Sequence, residues 1–187
     1  NRVEFANGTV WDNAMLQAFA DTGTLGDDYL IGTNGSESLS GLAGNDFINA
    51  YDGNDTIDGG PGNDTLFGGL GNDTYVFGRG AGSDLVGDVG GTTDKIQLAP
   101  GVLPGDVTLL RNGTELLLSL DQSSTQLRMN NATAIEQITF DGDTIWDAAA
   151  IASQTFVGAV NSLTGTAGDD TFVVDNKIGC LSPTLME

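Results

Sequence analysis

The sequence contains no histidine, and this absence removes more chemistry than any other feature. It excludes serine–histidine and cysteine–histidine nucleophile systems and the usual imidazole ligation of zinc. The single cysteine, Cys180, leaves no route to an intramolecular disulfide. Basic residues are nearly as scarce. Six lysines and arginines stand against 26 aspartates and glutamates, a formal net charge of −20 over 187 residues. Such a surface repels nucleic acid and anionic membrane. It favours a cationic partner, of which a metal ion is the simplest. No run of 18 apolar residues occurs, so no membrane span is expected. No signal-peptide pattern is visible at the N-terminus, and the chain opens in mid-pattern, as a piece of something longer would. The length suits one or two modest domains.

Glycine is abundant, at 28 residues, more than double its average share. It follows no three-residue period, so it signals turns and not collagen. From residue 32 the chain divides into nonapeptides: GTNGSESLS (32–40), GLAGNDFIN (41–49), AYDGNDTID (50–58), GGPGNDTLF (59–67) and GGLGNDTYV (68–76). A partial copy, GDDYLI, precedes them at 26–31. A looser one, RGAGSDLVG, follows at 79–87 after a two-residue slip at Phe77-Gly78. Position six of the units is Asp28, Glu37, Asp46, Asp55, Asp64, Asp73 and Asp84. Position eight is Leu30, Leu39, Ile48, Ile57, Leu66, Tyr75 and Val86.

One unit is physically readable. Glycines at positions one, two and four permit positive φ and close backbone approach. The x-U-x that follows, with U apolar, is too short for a helix and suits a three-residue strand whose central side chain points inward. Alternating turns and strands make a flattened coil with two nonapeptides per circuit, so units two apart stack in parallel. Asp28, Asp46 and Asp64 then fall on one edge, and Glu37, Asp55 and Asp73 on the other. Asp64 pairs with Asp46, and Asp73 with Asp55. Stacked carboxylates about 5 Å apart, the spacing of neighbouring strands, repel one another. A dication between successive turns removes the repulsion. Carboxylates with backbone carbonyls suit Ca²⁺ better than Mg²⁺, which dehydrates reluctantly.

The pattern resembles the RTX, or haemolysin-type, calcium-binding nonapeptide family, whose motif is G-G-x-G-x-D-x-U-x. GGPGNDTLF and GGLGNDTYV match it at every defined position. The resemblance covers about residues 23–90. It implies an all-β fold: a parallel β-roll followed by a small β-rich capping or spacer domain with one short helix. It also implies a parent protein exported by type I secretion and folding outside the cell. The implied ligands are the carboxylates of Asp28, Glu37, Asp46, Asp52, Asp55, Asp64, Asp73, Asp84 and Asp88. Turn carbonyls at Gly41, Ala43, Gly53, Gly59, Gly60, Gly62, Gly68, Gly69 and Gly71 complete the shells. Four to six calcium ions are expected between residues 26 and 90.

Departures from the motif predict weaker early sites. Glu37 is one methylene too long and Thr33 stands in its glycine pair. Leu42, Ala50 and Tyr51 also replace glycines. Asp84 and Asp88 resemble the acids that close such arrays.

The second half differs. TDKIQL (93–98), DVTLLRNG (106–113), TELLLSLD (114–121), TQLRMNN (125–131) and IEQITFDGDTI (135–145) read as strands, with a hairpin at Asn112-Gly113. WDAAAIASQ (146–154) reads as a short helix capped by Asp143 or Thr144. Residues 92–153 resemble the haemolysin-type calcium-binding-related domain found beside RTX arrays, mainly through F-x-x-x-T-[VI]-W-D. A longer period joins the ends: FANGTVWDNAML (5–16) matches FDGDTIWDAAAI (140–151), and TGTLGDDYLIG (22–32) matches TGTAGDDTFVV (164–174). The expected organisation is thus residues 1–22 ending a preceding spacer, 23–90 as roll, 91–154 as cap, and 155–187 opening a further RTX unit. The last stretch, DNKIGCLSPTLME, drops the pattern and is expected to be poorly ordered.

Competing readings are weaker. The P-loop lysine is absent and no helix follows the glycines. Residues 52–60 lack the following acid an EF-hand needs. Glycosidase carboxylates need unlike environments in a cleft, whereas these are equivalent. The Asn-x-Thr/Ser sequons arise because the repeat reads NDT, and Trp11 and Trp146 read as anchors of a short helix. The leading expectation is a calcium-dependent structural module, not an enzyme, within a larger secreted, extracellular or cell-surface bacterial polypeptide. The alternatives are a calcium-dependent adhesive or ligand-binding module and a non-catalytic fragment of an RTX protease, lipase or epimerase.

Overall fold

A computed structural model describes residues 2–12, 20–120, 124–131 and 134–157. The nonapeptides form the short strands their pattern predicts. β3 (Tyr29–Ile31), β5 (Phe47–Asn49), β7 (Thr65–Phe67) and β9 (Ser83–Gly87) stack in parallel on one side. β4 (Ser38–Ser40), β6 (Thr56–Asp58), β8 (Thr74–Phe77) and β10 (Lys95–Leu98) stack in parallel on the other. Pairing partners lie two units apart, as a two-unit circuit requires. The position-eight residues Leu30, Leu39, Ile48, Ile57, Leu66, Tyr75 and Val86 are all buried and line one core.

Glycine explains how tightly the turns can stack. A Cβ at Gly62 or Gly71 would lie 1.6 or 1.5 Å from the carbonyl oxygen of Gly44 or Gly53, where no side chain fits. Position two is left-handed in the inner units. Gly60 and Gly69 have φ of 88° and 107°, and Leu42 and Tyr51 adopt 72° and 73° in the same place. A non-glycine residue there carries roughly 1–2 kcal/mol of strain, so the roll imposes its register on sequences that depart from the motif.

Both sheets continue beyond residue 90. β13 (Gln126–Met129) extends the first in parallel with β9, followed by the antiparallel strands β12 (Glu115–Leu120) and β11 (Val107–Asn112) and by β16 (Thr155–Val157), to give eight strands. β14 (Gln137–Thr139) extends the second in parallel with β10, with β15 (Ile145–Asp147) antiparallel to it, to give six. Leu98, Leu116, Leu118, Leu127, Ile138 and Ile151 join the same buried cluster as the nonapeptide residues.

Several local expectations shift. The β11–β12 hairpin forms, but its register pairs Asn112 with Glu115, so the turn residues are Gly113 and Thr114. The segment 135–145 is not one strand: it bends at 141–143, with Asp143 at φ 64°, and returns as β15. The helix α1 (Ala148–Gln154) is capped by neither Asp143 nor Thr144. Those residues lie in the hairpin turn, and the Asp147 side chain caps instead, accepting from the Ala150 N–H at 2.8 Å. Trp146 packs edge-on against Phe140, centroids 4.8 Å apart.

The N-terminal hairpin β1 (Val3–Glu4) and β2 (Val10–Trp11) reproduces the β14–β15 hairpin 135 residues earlier. The Phe5 N–H donates to the Thr9 carbonyl as that of Phe140 does to Thr144. Phe140 is buried against the core whereas Phe5 is exposed. Among the described residues, no helix is long and apolar enough to cross a membrane. The helical part expected before residue 20, the Trp11 side chain and residues 158–187, with Asp169, Asp170 and Cys180, lie outside what the structure describes.

Candidate metal centre

Each nonapeptide places its position-six acid at the edge of the roll, between the glycine turn and the strand. The acids form two ladders. On one edge Asp46 Oδ1 accepts the backbone N–H of Asp28, Asp64 Oδ1 that of Asp46, and Asp84 Oδ1 that of Asp64, at 2.8–3.0 Å. On the other, Asp55 Oδ1 accepts from Glu37, Asp73 Oδ1 from Asp55, and Asp94 Oδ1 from Asp73, at 2.7–2.8 Å. The Asp46–Asp64 and Asp55–Asp73 neighbours are those the sequence pairs.

One oxygen of each inner acid is thus satisfied. The other is not. Oδ2 of Asp46, Asp55, Asp64 and Asp73 is buried without any hydrogen-bond partner. A buried carboxylate oxygen left so costs free energy unless a cation reaches it. Burial is the main force raising the pKa of Asp46 and Asp55, and it pushes Asp64 and Asp73 up to about 6 and Asp84 to about 7. The ladder amides oppose this shift, and the neighbouring carboxylates add to it.

Beside three of the four orphan oxygens, glycine leaves space that a side chain would fill. A Cβ at Gly41 would lie 2.2 Å from Asp46 Oδ2 and 2.7 Å from the Gly59 carbonyl oxygen. At Gly59 and Gly68 it would lie 2.2 Å from Asp64 Oδ2 and Asp73 Oδ2. At Gly41 an anionic oxygen without a hydrogen-bond partner and a neutral carbonyl oxygen border one gap, an oxygen set that suits a hard cation such as Ca²⁺.

The first turn is built differently. Asp28 Oδ2 accepts from the backbone N–H of Thr24 at 2.6 Å and from its hydroxyl at 3.0 Å. Glu37 Oε2 accepts from the Thr33 N–H at 2.9 Å, and Oε1 from the Thr33 hydroxyl. These threonines hold position two without the left-handed backbone of the inner units, and their amides turn toward the acid. The extra methylene of Glu37 lets its carboxylate follow.

The remaining expected residues divide. The Gly60 and Gly69 turns sit over the Leu42 and Tyr51 carbonyls, and Gly53 over that of Gly35. Ala43 lies in the turn 43–45. Asp52 accepts from the Asn34 side-chain amide at 3.2 Å and is only partly buried. Asp84 ends its ladder, because the residue paired beside it on β13 is Leu127. Asp88 stands off the ladders. Its Oδ2 accepts from the buried Tyr75 hydroxyl at 2.6 Å and its Oδ1 from the Gly90 N–H at 3.2 Å.

Sequence reasoning missed Asp94 and Glu136. The second ladder runs on through both, for Glu136 Oε2 accepts the Asp94 N–H at 2.8 Å. The signal was present as acid-x-apolar in Asp94-Lys95-Ile96 and Glu136-Gln137-Ile138. It was hidden because these copies follow at intervals of 21 and 42 residues instead of 18.

The profile of the RTX calcium-binding nonapeptide repeat, in four copies, matches residues 22–57, 31–66 and 49–84. Residues 22–84 thus carry the RTX calcium-binding nonapeptide repeat. Among the solved structures similar to the chain are two subunits of a mannuronan C5-epimerase from Azotobacter vinelandii, AlgE6R2 and AlgE6R3. The R2 subunit is 29% identical, covers 64% of this chain and 91% of its own, and superposes with a TM-score of 0.51. The R3 subunit is 26% identical and covers 81% and 94%, with a TM-score of 0.46. No curated protein sequence matches the chain. The RTX assignment makes this a calcium-binding repeat module with a parallel β-roll, and the orphan oxygens lie on the family's position-six acids.

Proposed function

We propose that the RTX roll is a calcium-dependent folding module of a secreted bacterial protein, itself non-catalytic, which orders when it meets extracellular calcium. The four buried, unpartnered oxygens of Asp46, Asp55, Asp64 and Asp73 carry this reading. Each is an energetic liability in a metal-free roll and an asset in a filled one. The core adds one apolar side chain per nonapeptide, so calcium binding to the folded form contributes directly to folding free energy. Extracellular calcium modules bind at roughly 10⁻⁴–10⁻³ M, an affinity that leaves them empty in a bacterial cytosol and filled outside.

In this reading Asp46, Asp55, Asp64 and Asp73, with carbonyls of their glycine turns, are the principal ligands, and four to six ions occupy the roll. Residues 23–90 are the roll proper and 91–154 its cap, which covers the open ends of β8 and β9 that a bare roll would expose to edge pairing. Likeness to subunits of an epimerase supports a module that accompanies a catalytic domain on a larger polypeptide.

Circular dichroism of the full chain tests the proposal. The β signal is expected to collapse in EGTA and to return in millimolar Ca²⁺. An unchanged spectrum in EGTA would sink it.

A further inference from the structure

The two sheets begin differently. At the first turn the edge of β4 is covered by the chain itself. Thr22 pairs beside Ser40, with the Gly23 N–H donating to the Ser40 carbonyl at 2.7 Å and the Ser40 N–H to that of Asp21 at 2.9 Å. The edge of β3 has no such cover. Toward β5, the Asp28 carbonyl accepts from the Phe47 N–H at 2.9 Å and the Gly32 N–H donates to the Asn49 carbonyl at 2.8 Å. Bonding alternates along a parallel ladder, so the N–H and C=O groups of Tyr29 and Ile31 point away from β5. Among the described residues no strand lies beside them.

The side chains at this end are those of an unfinished stack. Leu30 is 8% exposed, where the rest of the inward row is at 1% or less. Tyr29 lies flat on Phe47, centroids 4.7 Å apart and rings 10° from parallel, yet stays 71% exposed. Leu25 and Ile31 are exposed in the same turn. Residues 20–32 contain neither proline nor lysine, the residues that commonly blunt an edge strand.

The opposite end of the same sheet supplies a matching strand. β16 is its last strand among the described residues. It runs parallel to β11, which runs as β13 does on the other side of antiparallel β12. β13 keeps the direction of β9, β7, β5 and β3. The two end strands therefore point the same way. A second copy set end-on would place its β16 beside β3 in the parallel pairing used throughout the roll.

Charge agrees with this order. The first turn carries Asp21, Asp27 and Asp28 and no base, whereas β11, β12 and β13 carry Arg111 and Arg128 against Glu115 alone. An acidic head and a net basic tail favour head-to-tail contact over head-to-head. The sequence points the same way. Residues 5–16 match 140–151, and 22–32 match 164–174, so a first-turn pattern follows a cap ending in both places.

We infer that β3 is an acceptor edge for the cap of another copy of this unit, taking its β16 in parallel and extending the eight-stranded sheet from one copy into the next. The contact is heterologous. Each copy offers β16 at one end and β3 at the other, so association propagates and does not close at the dimer. On a polypeptide where the unit recurs, linkage supplies an effective concentration on the order of millimolar, which engages even a three-residue edge.

Sedimentation velocity of the full chain in millimolar Ca²⁺ reads the contact. The weight-average mass of wild type, a measurement that needs no variant to fold, is expected to climb with concentration from the 19.3 kDa monomer past the dimer. Tyr29→Lys combined with Ile31→Lys puts charge on the edge and is expected to hold the monomer mass over the same range, with the β signal of wild type. Ser38→Lys, on β4, whose edge is already covered, should associate as wild type does. The double variant keeps its β16 end. Fluorescently labelled, it should sediment faster in an excess of unlabelled wild type and as a monomer in an excess of unlabelled double variant. A wild type that stays monomeric, a mass that levels at the dimer, or association that the double variant retains overturns the acceptor edge and leaves the calcium reading untouched. Association that persists in EGTA counts against the calcium-dependent roll and not against the edge.

Discussion

The first turn of the roll and the turns inside it carry acids at the same position but in opposite states. Asp28 and Glu37 have both carboxylate oxygens engaged by donors or open to solvent, because Thr24 and Thr33 turn amide and hydroxyl toward them. Asp46, Asp55, Asp64 and Asp73 each keep one oxygen buried and bare. The residue two places into the turn makes the difference. A left-handed backbone there, at Leu42, Tyr51, Gly60 and Gly69, withdraws the amide that a threonine supplies. A motif that looks like a list of ligands is thus partly a means of denying the acid any other partner.

The contrast can be broken most strongly at the acids. Asp64→Asn or Asp73→Asn should raise the calcium concentration that half-restores the β signal by about ten- to a hundredfold, the loss of one charge-assisted contact. Asp28→Asn should shift it by less than about threefold, since its carboxylate already has protein donors. Equal shifts in a calcium titration by circular dichroism would erase the distinction.

The glycines sharpen it next. Gly59→Ala places a methyl 2.2 Å from Asp64 Oδ2, whereas Gly35→Ala meets nothing closer than 3.6 Å. The first should weaken calcium-dependent folding by about tenfold, comparable to losing a ligand. The second should leave it nearly unchanged. The same titration on the two variants decides the point.

A smaller effect is expected from pH. Burial pushes Asp64 and Asp73 up to about 6 and Asp84 and Asp94 up to about 7, above the ordinary value near 4 for unfolded aspartate. Groups raised in this way bind more protons folded than unfolded. Their contribution to the metal-free fold is therefore fully present below about pH 4 and is lost as pH climbs through 6 to 7. In calcium-free buffer, the residual β signal should be larger at pH 5 than at pH 7.5. At limiting calcium the trend should reverse, because protons compete for the same oxygens. A calcium-free β signal that rises with pH would contradict the burial of these acids.

Much of this molecule was legible from residues 32–76, where glycine, acid and apolar residue keep one period and each side chain's place follows from counting. The pairing of Asp46 with Asp64 and of Asp55 with Asp73 is of this kind. Legibility failed where loops of unequal length separate units that still stack. β10 and β14 continue the second sheet, yet Asp94 and Glu136 follow at 21 and 42 residues, so no fixed period reaches them. The helix cap was misplaced for a local reason: Asp143 lies in a hairpin turn at positive φ, leaving Asp147 as the residue in extended conformation before α1.

The sequence alone determined the repeat, the inward row from Leu30 to Val86 and the two edges of acids, because a parallel roll converts a nine-residue period directly into spatial order. Only the tertiary structure decided which acids are left without donors and where the ladders end. It also decided that Asp88, from outside the period, meets Asp73 and Asp94. Those outcomes depend on backbone handedness at single turn positions and on contacts between segments that no local pattern relates.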